Sequence, residues 1–467
     1  MSELPEGTRP AEPPRPRESA SGIVVAHDPA DGWRLLLGLR SRRSRFMPGH
    51  LACPGGALDL QDDPSSPGAY LRCVSRELRE ETGLEIAVED WIKAGERITP
   101  PLFPVRFRTL FFVAGLPAGL DGDRLRPANA ENEELRIVPA RRVLAEWDRG
   151  KTRVPPPVLP ILRALADGSS SPLEQMAREI AEVNRLEQRA PRIEFTPGVW
   201  MLPQRTPTLP PATHTNVWMP GGRRFVIVDP GSDDAGELGR LLEVVGRRRR
   251  LGHEPEAVLL THHHRDHVGG AAEVARELEL SLRADAGVLE GLGRAADDRR
   301  SAPLEEGEEL DLDGMSLRVH RTPGHAPGHL AFHLPEQRLL IAGDLVSGIS
   351  TILIDPVGGE MGTYLDSLAR MQELDCRMLL PGHGPPLPGG ELARVIGHRR
   401  GRERAILALL GDGPRALDSI AREAYRELPQ MPLQLTRRQT LSHLLFLEKR
   451  GRVRREDAAG ESWRLAE

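Results

Sequence analysis

Short apolar runs, punctuated by Gly, Pro and charged residues, recur along most of this chain. Between residues 19 and 166, "GIVVAH", "RLLLGLR" and "RTLFFVAGL" read as strands around one charged helix from about Pro67, in which Leu71, Val74 and Leu78 share a face. The stretch "ADGSSSP" (166–172) has the composition of a hinge. Behind it, Leu173, Met176, Ile180, Val183 and Leu186 recur at near-helical spacing, which predicts a linker helix within 167–190. From 191 to 395 the runs "RFVIVDPG", "AVLLTHHH", "SLRVHRTPGH", "RLLIAGD" and "RMLLPGHG" alternate with helical patterns, an α/β arrangement. The remainder, 396–467, is mostly helical and closes on a helix followed by two short basic strands around Gly451, the pattern of a winged helix. The fold class expected is α/β multidomain.

Composition narrows this picture in only a few places. The length of 467 residues exceeds what one core organises, in keeping with several domains. A formal net charge of −5 gives no global reason to expect a polyanion, so nucleic-acid binding needs a local patch. Two basic runs, "GRRRR" (246–250) and "EKRGRVRRED" near the end, are candidates for phosphate contact and equally for solvated surface. Residues 1–18 are Pro-rich and charged, which reads as a disordered lead without a secretory signal. No apolar run reaches the length needed to span a bilayer, and the three cysteines are too few and too scattered for a disulfide framework. A cytoplasmic protein with no membrane partner is expected; oligomeric state is not legible.

The chemistry concentrates in "LTHHHRDHVGG" (260–270). The preceding "AVLL" is a buried strand, so the histidines occupy the loop beyond its C-terminal end, where open α/β sheets bind ligands. Alternate residues turn one way there, which lets His262, His264 and Asp266 converge. His267 joins them from the start of the next helix, while His263 points elsewhere. Imidazole nitrogens and a carboxylate suit Zn²⁺, with Fe²⁺ and Mn²⁺ as alternatives. Other strands of the segment end in ligand-type residues too: His325, Asp344 and His383, with Pro and Gly before each of the two histidines for a tight turn. Asp229, at the end of "VIVDPG", is placed to hold a ligand imidazole from behind, and His329, four residues after His325, either meets substrate or supports the site.

The series H-x-H-x-D-H, then H, D and H, resembles the metallo-β-lactamase superfamily. The resemblance implies an αββα sandwich with a two-metal site. One metal takes His262, His264 and His325, the other Asp266, His267 and His383, and Asp344 bridges; Asp266 is also carried as a candidate catalytic carboxylate. Paired divalent cations lower the pKa of a shared water and polarise the bond under attack, which suits hydrolysis of esters, thioesters, amides or phosphodiesters. "THHHRDHVGG", "TPGHAPGHLAFHL", "LLPGHGPP" and "HRRGRERAIL" are similar to the lactamase-beta-like protein two family, which implies single-stranded RNA as substrate. Glyoxalase II-like relatives share "TPGH…GH" and imply a small-molecule thioester instead.

Residues 54–84 carry a second cluster. Glu77, Glu80 and Glu81 lie at i, i+3 and i+4 of the charged helix, where adjacent carboxylates repel unless paired with Arg76 or bridged by a cation such as Mg²⁺ or Mn²⁺. "RELREETGL", behind Gly55 and Gly56, resembles the Nudix box, which implies an α/β/α sandwich acting on a nucleoside diphosphate-linked compound. In that resemblance Glu80 and Glu81 bind metal, Glu77 activates water, and Glu131 or Glu134 supplies a later carboxylate. Two departures weaken it: the box is six residues longer than standard, and Gly68 stands where a Glu is expected. A longer box is similar to that of coenzyme A diphosphatases, so an acyl-CoA hydrolase coupled to a CoA diphosphatase is the alternative enzyme. A nucleotide-responsive nucleic-acid-binding protein is the non-enzymatic one.

Overall fold

The computed structural model describes residues 12–44, 47–117, 119–120, 125–167, 171–293, 300–428, 431–457 and 459–466. Two compact units emerge, one built from residues 12–202 with 239–248, the other from 203–238 with 249–467.

The first unit is built on a mixed sheet. Its strands are β1 (Arg17–Asp28), β2 (Gly32–Arg40), β3 (Leu51–Ala52) and β4 (Gly55–Ala57), then, beyond helix α1 (Ala69–Thr82), β5 (Ile92–Ile98), β6 (Phe107–Gly115) and β7 (Asn132–Pro139). The order is β3-β2-β1-β6-β5, with β4 also on β1 and β7 on β2. Only β1 and β6 pair in parallel among these neighbours. Because side chains alternate along a strand, the unbroken apolar runs of β1 and β2 are buried on both faces. Ile23, Val25, Leu35 and Leu37 face helices α2 (Ala140–Asp148), α3 (Leu159–Asp167) and α4 (Leu173–Arg189); Val24 and Leu36 face α1.

Two expectations shift here. Arg17 and Glu18, assigned to a disordered lead, already pair with Phe107 and Arg108, while residues 1–11 of that lead lie outside the described residues. Helix α4 is not a free linker: Met176, Ala177 and Ile180 enter the core of this unit, because the apolar stripe read as helical needs a surface to cover. Of the hinge at 166–172, residues 168–170 lie outside the described residues. A hairpin of β8 (Ile193–Thr196) and β9 (Val199–Arg205) follows.

In the second unit, β10 (His214–Pro220), β11 (Arg224–Val228), β12 (Glu254–Leu259), β13 (Ser281–Ala284) and β14 (Ala302–Pro303) lie side by side in that order, parallel from β11 onward. Helix α5 (Ala235–Arg250) connects β11 to β12; its residues 239–248 belong to the first unit, and part of "GRRRR" at its end is not a solvated run. Arg248 is buried over the Trp200 ring, and Arg247 pairs with the buried Glu187 at 2.6 Å. Helices α6 (Arg265–Val268), α7 (Ala271–Leu278) and α8 (Ala286–Leu292) complete this half. A second sheet follows in chain order: β15 (Glu309–Asp311), β16 (Ser316–Arg321), β17 (Leu330–Leu334), β18 (Leu339–Gly343), β19 (Met378–Pro381) and β20 (Leu387–Pro388). Its Ala331, Leu340 and Leu379 pack under α9 (Met361–Gln372) and the start of α10 (Glu391–Leu410).

The C-terminal part adds β21 (Arg415–Ala416), α11 (Leu417–Ala424), α12 (Leu433–Lys449), β22 (Val453–Arg455) and β23 (Ser462–Leu465), with the three strands ordered β21-β23-β22. Gly451 does not turn the terminal hairpin as expected. At φ +66° it ends α12 ahead of β22, and the chain reverses between Arg455 and Ser462. No helix among the described residues is long and apolar enough to cross a membrane.

Candidate metal centre

Four strand ends deliver the candidate ligands. The loop after β12 carries His262 and His264, with Asp266 and His267 on α6; His325 follows β16, Asp344 follows β18 and His383 follows β19. These side chains form two groups: His262, His264, His325 and Asp344 in one, Asp266, His267 and His383 in the other, each with its donor atoms within 4.8 Å of one another. His263 is exposed and outside both. Gly382 makes the closeness workable, since a Cβ there would stand 2.6 Å from His267 Cε1 and 2.7 Å from Asp344 Oδ1.

Four of the rings are aimed from behind. Thr261 Oγ1 donates to Asp229 Oδ2 at 2.7 Å and lies 2.9 Å from His262 Nδ1, so this hydroxyl accepts the Nδ1 proton and leaves Nε2 facing the centre. His267 Nδ1 donates to the same Asp229 oxygen at 2.8 Å. His325 Nδ1 donates to the Leu353 carbonyl at 3.0 Å, and His383 Nδ1 to the His214 carbonyl at 2.9 Å. Anchoring the far nitrogen fixes tautomer and orientation, the usual support for a metal-binding imidazole. Asp229 thus contacts the His267 ring directly and the His262 ring through Thr261. Asn216 shapes the β19 turn by donating to the carbonyls of Pro381 and Gly384. His329 is fully buried: its Nε2 accepts from the Asp344 backbone N–H at 3.1 Å and its Nδ1 lies 2.8 Å from Thr322 Oγ1. Of the two roles open to His329, the geometry is that of a support for Asp344. Thr261, Asn216, Thr322, His214 and Leu353 carried no signal in the sequence, because two act through carbonyls and three are ordinary polar residues.

The resulting arrangement calls for cations. His262 Nε2 and His325 Nε2 approach His264 Nδ1 to 2.9 and 3.0 Å, and His267 Nε2 lies 3.3 Å from His383 Nε2. The Asp344 carboxylate turns between the groups, with Oδ2 3.5 Å from His325 Nε2 and Oδ1 3.4 Å from both His267 Nε2 and His383 Nε2. That Oδ1 is buried without a hydrogen-bond partner, an expensive condition for a carboxylate oxygen unless a positive charge faces it. Burial pushes His262 well below its ordinary value and takes His264 down to about 3, so these rings are neutral, the ligand form of imidazole. Burial opposes charge at His383 as well, yet Asp344 and Asp266 carry it up to about 10. Asp266, despite burial, is held down to about 2 by His267 and His383. Converging nitrogen lone pairs among ionised carboxylates fit divalent metal ions of the zinc or iron type.

The glutamates of the first unit behave differently. The Arg76 guanidinium sits among them, 2.9 Å from Glu77, 3.1 Å from Glu80 and 2.8 Å from the buried Asp62. Asp62 lies between Gly56 and α1. Glu81 turns inward, accepting from Gly55 N at 3.0 Å and Asn132 Nδ2 at 2.7 Å. Glu134 pairs with Arg136 at 2.7 Å, while Glu131 lies close enough to Glu77 to oppose its ionisation. Among the described residues, Glu77, Glu80 and Glu81 do not converge as a ligand group.

Comparison with known proteins agrees with the second unit. The family model described as Metallo-beta-lactamase superfamily matches residues 211–383. The chain is 30% identical over 250 residues to the lactamase-like protein nscB of Trichophyton rubrum, spanning 50% of this chain and 73% of that protein. It is 28% identical over 265 residues to the Beta-lactamase-like protein 2 homolog of Drosophila melanogaster, spanning 53% and 87%. A beta-lactamase domain protein from Burkholderia ambifaria shares the fold, with a TM-score of 0.52 and 23% identity across 59% of this chain and 93% of the other. The ligand series, its geometry and these relatives converge: this chain belongs to the metallo-beta-lactamase superfamily.

Proposed function

We propose that the second unit is a two-metal hydrolase that cleaves phosphodiester bonds in single-stranded RNA. The observation that carries the hydrolytic reading is the seven-residue constellation, in which Asp344 faces both ligand groups. His262, His264 and His325 would hold one ion and Asp266, His267 and His383 the other, with Asp344 turned between the two groups. Bound there, the ions would supply Lewis-acid polarisation and a water of lowered pKa. The chain does the rest: Asp229 and Thr261 keep the His262 and His267 rings aimed, and His329 fixes the backbone of Asp344. RNA as substrate is supported by the order of motifs from "THHHRDHVGG" to "HRRGRERAIL", which resembles that of the lactamase-beta-like protein two family. A winged helix after the hydrolase agrees with the order helix, strand, helix, helix, strand, strand from α10 to β23.

For the first unit the reading is a Nudix-type domain with helices on both faces of a mixed sheet, acting with Mg²⁺ or Mn²⁺ on a nucleoside diphosphate-linked compound. Metal entry there requires Glu77 and Glu80 to release Arg76.

The test uses full-length protein loaded with Zn²⁺ or Mn²⁺ and two substrates, labelled single-stranded RNA and an acyl-CoA. Endonucleolytic products are expected. Turnover of the acyl-CoA alone would move the assignment to a thioesterase, and turnover of neither would remove the RNA reading.

A further inference from the structure

Of the anchors behind the histidine rings, the Leu353 carbonyl is the one set in a loop held from the C-terminal helices. It lies in 352–354, a stretch outside any strand or helix. The Ile354 N–H donates to Gln439 Oε1 on α12 at 3.1 Å. Arg399 on α10, with only 1% of its surface exposed, donates from Nη2 to the Ile352 carbonyl. Next along the chain, Asp355 is paired with Arg438 of α12. Arg399 also stacks over the Tyr364 ring at 5.4 Å, and the Tyr364 hydroxyl donates to the carbonyl of Leu345, the residue after Asp344.

These contacts are poor investments in stability. Gln439 is buried with its Nε2 unpartnered, and Arg399 is buried with its Nε unpartnered. Each unsatisfied polar atom costs about 1–3 kcal/mol, which an apolar residue would avoid. What the two side chains achieve is directional: Gln439 accepts from Ile354 N–H and so holds the peptide plane whose carbonyl, Leu353 O, meets His325 Nδ1, while Arg399 donates to Ile352 O and holds the peptide before it.

We infer that Arg399 and Gln439 are positioning residues for the metal ligand His325, so that the C-terminal helices complete a metal site lying in the preceding sheets. Holding Leu353 O in place keeps the proton on Nδ1 and turns Nε2 toward His264 and Asp344. This rests on the ligand assignment proposed above. It separates the two ions: the His262–His264–His325 site depends on Gln439, while the Asp266–His267–His383 site, anchored by Asp229 and the His214 carbonyl, does not.

The experiment titrates Zn²⁺-loaded full-length protein with a competing chelator and follows release of each ion. Gln439→Met keeps the volume and removes the acceptor; it should weaken one ion by about 10- to 100-fold, the usual effect of losing an outer partner, and leave the other unchanged. Gln439→Glu keeps the acceptor and should retain both ions as the parent does. Arg438→Ala, whose pair with Asp355 is partly exposed, loosens the same segment without emptying the core and should shift the same ion less; it carries the test if Gln439→Met does not fold. Loss of both ions together, no change in either variant, or a Gln439→Glu protein that behaves like Gln439→Met would overturn the inference. A parent protein that binds no Zn²⁺ would instead overturn the ligand assignment beneath it.

Discussion

The two units each gather acidic or ligand-type residues, and they solve the resulting electrostatic problem in opposite ways. On α1, the protein supplies its own cation: Arg76 sits among Glu77, Glu80 and Asp62. Among the described residues, no arginine or lysine is paired with the Asp344 carboxylate; it lies beside His267, His325 and His383, each with its remote nitrogen tied to a protein oxygen. The difference teaches that a cluster of ligand residues is not by itself a metal site. What matters is whether the fold leaves the charge to be met from outside.

The largest expected effect breaks the second site while sparing the first. His262→Ala should lower hydrolysis at the two-metal centre by about 1000-fold, since Lewis-acid stabilisation is worth several kcal/mol and each 1.36 kcal/mol is tenfold. Glu80→Gln should leave that rate unchanged, and a fall of similar size in both would end the contrast between the sites. Replacing the internal cation comes next. Arg76→Met leaves Asp62, 1% exposed at its side chain, without its ion-pair partner, so urea unfolding of the first unit should show a loss of about 3 kcal/mol. Added Mg²⁺ that restores part of this stability would show the carboxylates can accept a metal once the arginine is gone.

The smallest effect is a slope with pH. Burial raises the Glu81 carboxyl from 4.5 to about 7. A carboxyl raised on folding contributes stability that is complete below its unfolded value and lost as pH rises through the folded one. Stability of the first unit should therefore decline between about pH 5 and 7, and the decline should flatten in Glu81→Gln. An unchanged slope in that variant would assign it to other groups.

Much of this was legible in the sequence. The apolar runs of β11, β12, β16, β18 and β19 mark strands because they end in Gly, Pro and polar clusters, and the functional loops follow those strand ends. The ligand series was legible too: few side-chain types bind a metal ion, chiefly His, Asp, Glu and Cys, so candidates are exposed in the sequence. The equivalence of His262, His263 and His264 was already broken by alternation along the chain.

Other features needed the tertiary structure. The apolar stripe of α4 announces a helix but not which surface it covers, and that surface is the core of the first unit. Arg76 is one of many arginines until Asp62 closes over it. The supports at Thr261, Leu353 and His214 act through a hydroxyl or a carbonyl, groups common along the chain, so only their placement gives them a role. Sequence thus determined which atoms could bind a metal, because that chemistry restricts residue type. The tertiary structure decided where those atoms point and which carboxylates already have a cation, because orientation and charge pairing depend on neighbours from distant parts of the chain.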